Sequence, residues 1–219
     1  MTFRVSTTVA AFVALALAIL FGPTLEGQAA RGKAALMNPA GLNEQAPATF
    51  KVNFDTSAGS FVVDVHRDWA PIGTDRFYNL VKSGFYEGNR FFYVTERTAV
   101  FGVHGDPEIA KIWAYAKIPN DKPRVQSNKR ATVALLQSNK RATQTVINLR
   151  DNPSFDSQIT PFGQVVSGMN VVEKLYAGYG APYPHGNGPT MTIMTTEGNA
   201  YLEKELPKLD YIKTTTIVP

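Results

Sequence analysis

Residues 50–66 read FKVNFDTSAGSFVVDVH, and this stretch decides the class of fold. Phe50, Val52 and Phe54 alternate with Lys51, Asn53 and Asp55. After the turn residues Ser57-Ala58-Gly59, Phe61, Val63 and Val65 alternate with Val62, Asp64 and His66. Successive strand side chains point to opposite faces, so this period of two specifies a β-hairpin with one half-buried face.

The next stretch, Ala70 to Gly84, changes period. Pro71 suits a first helical turn, Phe77, Leu80 and Val81 form one apolar stripe, and Ser83-Gly84 suits a stop. Further strands are expected at Arg90–Val94, Thr98–Val103, Thr132–Leu136, Gln144–Leu149, Phe162–Val166, Met191–Thr196 and Tyr211–Val218. A second helix is expected after Ser167, carrying Val172, Leu175 and Tyr176 and ended by Gly178 and Gly180. Many strands with two helices predict an all-β dominated, closed antiparallel barrel, because closure removes exposed sheet edges. One short repeat, QSNKRAT at 126–132 and again at 137–143, is too brief for a solenoid unit and reads as two similar turn-into-strand segments.

Upstream of the hairpin the character differs. Arg4 precedes 13 consecutive apolar residues, Val9 to Phe21, which Gly22-Pro23 breaks; Gly27-Gln28-Ala29 follows as a small-x-small site. This predicts a signal peptide over 1–30, with an uncleaved N-terminal anchor as the alternative. Either places the domain outside the cytoplasm, periplasmic or secreted. Residues 31–48 show no sustained period and hold two Pro and two Gly, which predicts a flexible tether. The folded domain is expected over 49–219.

Composition narrows the chemistry. The 219 residues are 44% apolar and 11% aromatic, enough for a sizeable core, so a mainly disordered chain is excluded. With no cysteine, disulfides, thiolate catalysis and cysteine-based metal sites fall away. The formal charge of +4 is too weak to argue for nucleic acid. His66, His104 and His185 have no metal-type spacing, so no metal and no cofactor is expected. There is no GxSxG, HExxH or phosphate-binding loop, and Gly178-Tyr179-Gly180 lacks the third glycine and leading strand of a dinucleotide site.

From about Ala48 onward, several segments in order resemble the cyclophilin family of peptidyl-prolyl isomerases. Thr56-Ser57-Ala58-Gly59 resembles the turn of its first hairpin. Phe77-Tyr78-Asn79-Leu80 followed by Gly84-Phe85-Tyr86 resembles its first helix and exit, and Arg90-Phe91-Phe92 its next strand. Gly105-Asp106, Gln144, Ile147-Asn148, Pro161-Phe162-Gly163 and Gly168-Met169-Asn170-Val171-Val172 then follow. The insertion over 104–128 is similar to that of a bacterial subgroup. The resemblance implies an eight-stranded antiparallel β-barrel capped by two α-helices, with a peptide groove on its outer wall. It also implies cis/trans isomerisation of X–Pro bonds without a cofactor. An apolar pocket holds the proline ring while an arginine donates to the twisted amide, which is electrostatic stabilisation aimed at the transition state.

The chain departs from that pattern in the groove. Tyr93 stands at the arginine position, so no catalytic residue of the motif is retained there. Glu96 to Phe101 replaces the segment that carries the family's aromatic, methionine and glutamine. Val146 replaces the aromatic pocket floor, Phe155 falls in the stretch that follows, Ile159 aligns with the pocket histidine, and Gln144 is kept. The groove candidates are thus Tyr93, Phe101, Gln144, Val146, Phe155 and Ile159. They make a more apolar wall without a cationic donor. The first reading is a weakly active isomerase-like protein assisting the folding of exported proteins. The alternative is a non-catalytic cyclophilin-like module that binds peptides or proteins. A third reading, an apolar small-ligand barrel, requires an empty lumen. Expected partners are proline-containing peptides or exported proteins, not nucleic acid, and a membrane only if the N-terminal segment stays uncleaved.

Overall fold

The computed structural model describes residues 32–123, 125–136 and 142–218. The chain divides into two units, 1–34 and 35–219, and the second carries all the elements below. The expected signal peptide or anchor, 1–30, lies outside the described residues. Among those residues no helix is long and apolar enough to cross a membrane, and no cluster of acidic and histidine side chains is arranged to hold a metal ion.

The hairpin forms as the alternation requires. Strand β1 (Thr49–Thr56) pairs with β2 (Gly59–His66), Thr56 opposite Gly59, so the turn holds only Ser57 and Ala58. Gly59 has φ +127, a value that L side chains rarely adopt. Helix α1 (Pro71–Lys82) starts with Pro71 at its first position. Its N-terminal donors are satisfied from a distance: both carboxylate oxygens of buried Asp121 accept, from Ile72 and Gly73 N–H, at 2.8 Å each. It ends on Gly84 at φ +72. Phe85 N–H donates to Leu80 carbonyl (2.9 Å) and Gly84 N–H to Val81 carbonyl (3.1 Å), the double closure of a Schellman end.

The remaining strands are β3 (Tyr93–Val94), β4 (Thr98–Phe101), β5 (Thr132–Leu135), β6 (Thr145–Asn148), β7 (Pro161–Ser167) and β8 (Ile212–Val218). They form one eight-stranded antiparallel sheet in the order β3-β4-β6-β5-β7-β2-β1-β8. The sheet curls until its two ends meet just before the terminal strands. Arg90 and Tyr211 form a bridge, and Phe91 N–H donates to Asp210 carbonyl at 2.9 Å. The inside of the curl is packed with aromatic rings: Phe54 stacks on Phe61 at 4.7 Å, and Phe77 lies 4.6 Å from Phe162. A filled interior removes the small-ligand barrel reading.

Two local expectations change, and the insertion adds a helix. The helix expected after Ser167 is a single turn, α3 (Met169–Val172), entered through Gly168 at φ +77. In the insertion, Pro107–Tyr115 form helix α2, capped by the Asp106 carboxylate, which accepts from Glu108 N–H at 2.9 Å. Met191–Thr196, expected as a strand, instead opens helix α4 (Met191–Glu205). Its run of Thr and Ile favours a strand by propensity, but β-propensity is easily overridden by packing. Thr195 and Thr196 hydroxyls donate back to the carbonyls of Met191 (2.9 Å) and Thr192 (3.1 Å), a bond that Thr can make inside a helix.

The stretch expected as a tether, 31–48, is fastened to the body from Leu36 on. Leu36 and Ala46 are buried, and Trp113 Nε1–H donates to Leu36 carbonyl at 2.8 Å. Glu44 N–H donates to Asn79 Oδ1 (3.1 Å), Asn79 Nδ2 donates back to Glu44 carbonyl (2.7 Å), and Ala46 N–H donates to Asp75 (2.9 Å). These partners sit on α1 and α2, so a segment without internal periodicity is ordered by what it touches.

Candidate functional site

Cross-strand register builds one row of side chains on the outer face of the sheet. Tyr93 of β3 lies opposite Val100 of β4, Val100 opposite Val146 of β6, and Val146 opposite Ala134 of β5. Directly opposed residues share a face. This row is therefore the wall on which the family resemblance puts the peptide groove. Ile159 joins it, and Phe155 and Tyr93 pack at its margin, half-buried.

The wall is not open. Met194 and Leu202 of α4, with Leu206 and Leu209 beyond it, form one apolar cluster with Phe92, Val100, Ala134, Val146 and Ile159. Val146 is only 1% exposed and Val100 3%. The position of the proline-pocket floor is thus covered by the chain's own C-terminal segment.

Helix α4 is held there by a kink. Gly198 interrupts it at φ +61, ψ −142, and a Cβ at Gly198 would lie 2.0 Å from Gly105 carbonyl oxygen. Asn199 uses this closeness. Its N–H donates to Gly105 carbonyl (2.9 Å) and its Nδ2 to Gly88 carbonyl (3.0 Å), tying α4 to the loops before β3 and α2.

Two of the groove candidates fall elsewhere. Phe101 is out of phase with Val100 by one residue, so it points inward. It is fully buried, with ring centroids 5.8, 5.2 and 5.3 Å from Phe54, Tyr86 and Phe91. Phe101 is a core residue, not a groove residue, because the strand's period of two leaves no choice once Val100 faces out. Gln144 keeps the outward parity of Val146 but sits at the start of the strand. There it lines a separate cavity of about 760 Å³ between α2 and α4, with Val103, Trp113, Tyr115, Met191 and Thr195. Val146, Ile159, Phe155 and Tyr93 are brought together; Phe101 and Gln144 are not.

Two cations near the wall, among the described residues, are already engaged. Arg97, in the turn between β3 and β4, donates from Nε to Asn152 Oδ1 at 3.0 Å. Arg90 donates to Glu203 (2.8 Å) and lies 4.5 Å from the Tyr211 ring centre. Neither takes the place of the arginine missing at Tyr93.

Sequence reasoning missed the polar network that holds the rim. Asn128, Asn148 and Asn152 are all buried. Asn152 Nδ2 donates to Asn148 Oδ1 (2.8 Å), Asn148 Nδ2 to Asn128 Oδ1 (3.2 Å), and Asn128 Nδ2 to Ile159 carbonyl (2.8 Å). The Asp156 carboxylate accepts from Asn128 N–H at 2.7 Å. A buried network of this kind fixes Phe155 and Ile159 only if its members are paired, as these are. The visible signal was Asn128, inside the first copy of the QSNKRAT repeat.

The fold and its outer wall define an eight-stranded antiparallel protein of the cyclophilin type. A family model described as "Cyclophilin type peptidyl-prolyl cis-trans isomerase/CLD" matches residues 51–195, from β1 into α4. A "Peptidyl-prolyl cis-trans isomerase" of Acinetobacter baylyi is 27% identical over 142 residues, 61% of this chain and 76% of that protein. A "Peptidyl-prolyl cis-trans isomerase-like 1" of Rhizopus delemar is 30% identical over 132 residues, 57% of this chain and 79% of that protein. Among solved structures, a cyclophilin type isomerase of Cryptosporidium parvum superposes with a TM-score of 0.56 at 14% identity, covering 78% of this chain and 98% of its own. The chain belongs to the cyclophilin-type peptidyl-prolyl cis-trans isomerase family. Leu202, Leu206 and Leu209, which close the outer wall, lie beyond the matched residues.

Proposed function

We propose that this chain is a peptidyl-prolyl cis-trans isomerase-like protein that acts weakly on proline-containing segments of exported proteins. Family membership supports the reaction class. One observation carries the reading of weakness: the outer row Tyr93–Val100–Val146 has no guanidinium and lies under α4. The X–Pro barrier is about 18–20 kcal/mol, and removing one preorganised donor typically costs roughly 10²–10³ in rate. A tyrosine hydroxyl donates a hydrogen bond, but charge-assisted bonds are about twice as strong.

The test is an NMR exchange or protease-coupled assay on an Ala-Pro peptide with purified protein. That dipeptide was present in another structure of the Cryptosporidium parvum isomerase, and it is the natural first probe. The expected rate is at least about 10²-fold below that of a member with the full motif. Tyr93→Arg should recover part of it. Wild-type turnover equal to such a member would refute the weak-activity reading. The burial of Val146 under α4 favours the second reading, a non-catalytic peptide- or protein-binding module. That reading wins if the protein binds proline peptides while exchange stays at the uncatalysed rate.

The apolar run Val9–Phe21 supports a periplasmic or secreted domain, with a membrane anchor as the alternative. N-terminal sequencing of the exported protein decides between them: a start near Ala30 or Arg31 supports cleavage, and an intact Met1 in membranes supports the anchor.

A further inference from the structure

We infer that the face at which the chain enters the folded unit docks on an anionic lipid bilayer. This face is made by residues 37–40, the first turns of α1, and the end of α2 with the loop after it. The inference is independent of the isomerase reading and takes its occupant from the reading of residues 1–30 as a leader or anchor. Three features meet on this face. The first is apolar exposure. Among the described residues, seven large apolar or aromatic side chains are exposed, and three of them, Met37, Ile72 and Tyr115, lie at or beside one shallow hollow. Its lining runs from Asn38 and Ala40 across Arg76 to Ile112, Tyr115 and Lys117. Met37 adjoins Asn38 in sequence, and Ile72 precedes Arg76 by one turn on the same side of α1. Tyr115 is 82% exposed. A ring that exposed adds little to the fold, and an amphipathic ring suits the boundary between water and lipid.

The second feature is charge. Lys111, Lys117 and Lys122 are exposed on α2 and the loop after it, and none forms an ion pair among the described residues. No acidic residue occurs from Ile109 to Asn120, and the first turn of α1 has none. Asp121 is buried and accepts from Ile72 and Gly73 N–H, and Glu108 sits at the far end of α2. Arg76 is engaged: it donates to Ala116 carbonyl at 3.0 Å and lies 4.9 Å from the Trp113 ring centre. Exposed lysines with apolar and aromatic side chains between them complement anionic headgroups, because the stems lie along apolar surface while the ammonium groups reach outward. The third feature is where the chain comes from. Thirteen residues, 22–34, separate the apolar run Val9–Phe21 from Ala35, where the folded unit begins. They span at most about 45 Å. Trp113 Nε1–H holds the Leu36 carbonyl at 2.8 Å, so the entry point is fixed to the end of α2. A bilayer that holds the apolar run therefore has this face within reach, which favours lipid over an acidic protein as the occupant.

The absence of cysteine supplies the readout, since one cysteine placed by mutation carries a single environment-sensitive dye. Full-length protein is labelled at Tyr115→Cys, at Met37→Cys or, as a control at an exposed apolar position of β7, at Val166→Cys. Each is reconstituted into vesicles of phosphatidylcholine alone or of phosphatidylcholine with phosphatidylglycerol. Dye emission at 37 and 115 should shift to the blue on the anionic vesicles and not on the neutral ones, and at 166 on neither. Raising the salt to 1 M shortens the screening length to about 3 Å and should remove most of the shift. Lys111→Glu combined with Lys117→Glu should remove it as well. The melting temperature of that variant checks its folding, and the salt titration tests the same charges with the lysines intact. No shift at 37 and 115, an equal shift on both kinds of vesicle, or an equal shift at 166 would overturn the inference. So would the same shift on adding polyglutamate without vesicles, which would assign the face to an acidic protein. A chain recovered cut near Ala30 whose position 115 still shifts on added anionic vesicles would uphold the face and overturn the anchor. The Ala-Pro exchange assay judges the isomerase reading separately.

Discussion

The sheet formed by β3, β4, β6 and β5 is buried on both faces, but by different means. On the inner face, Phe101 meets Phe54, Tyr86 and Phe91, rings supplied by the hairpin and by the segment that leaves α1. On the outer face, Val100, Ala134 and Val146 meet aliphatic side chains from α4 and the residues after it. The inner face is closed by the strands that make the curl. The outer face is closed by an element that comes after the barrel is nearly complete in sequence. A strand's alternation makes two surfaces at once. Which becomes core and which becomes site depends on what the rest of the chain lays on them. In this protein the later element has turned most of the would-be groove into a second core and left a hollow at its Gln144 end.

The largest effect should separate the two faces. Phe101→Ala removes a fully buried ring and should cost about 3–5 kcal/mol, whereas Val146→Ala removes two methyl-sized groups and should cost about 2 kcal/mol. Chemical denaturation of both variants measures the contrast; equal losses would mean that the two faces are one cooperative core of equal density. Next, Gly198→Ala attacks the outer closure alone. The φ of +61 and the 2.0 Å approach to Gly105 oxygen leave no place for a methyl group. The expected loss is roughly 3 kcal/mol, with α4 released first. Limited proteolysis should then cut near 191–205 before the barrel unfolds, and a dye that binds apolar surface should report the exposed wall. Cooperative loss of everything together would mean that the two faces unfold as one unit.

A smaller effect tests the inner face. The Tyr86 hydroxyl is buried and within 3.2 Å of Thr145 Oγ1. Burial pushes its phenol well above the ordinary tyrosine range. Tyr86→Phe should cost about 1 kcal/mol at neutral pH, the usual net value of one hydrogen bond. The pH dependence has a definite sign. An unfolded tyrosine loses its proton near pH 10, while the folded one keeps it, so the folded state binds more protons above that pH. The stability associated with Tyr86 is fully present below pH 10 and lost as pH rises beyond it. Tyr86→Phe should flatten that alkaline decline in the melting temperature.

Much of the architecture was legible. The 50–66 hairpin and the Pro71 helix with its Gly84 stop were readable because their burial follows a short local period; six later strands were also expected, although β4, β5 and β6 are buried at every residue. The tether over 31–48 was not. Glu44 and Ala46 are ordered by Asn79 and Asp75, some thirty residues away, and no local pattern carries that information. Met191–Thr196 misled because β-branched residues favour strands, while Met194 and Leu202 needed a helix to reach the outer wall together. Phe101 misled for the opposite reason. Its side chain suits a groove, but the phase of β4, fixed by Val100 opposite Tyr93 and Val146, turns it inward.

The sequence by itself determined the repeating backbone choices: which segments alternate, where Pro and Gly start and stop a helix, and the family to which the ordered motifs belong. It also determined that tyrosine, not arginine, stands at position 93. Only the tertiary structure decided that Val146 is covered, that Gln144 faces a cavity instead of the wall, and that Asn199 clasps two loops. Those are contacts between residues tens of positions apart. They depend on how the curl brings α2 and α4 to one end of the sheet, and a one-dimensional pattern has no term for that distance.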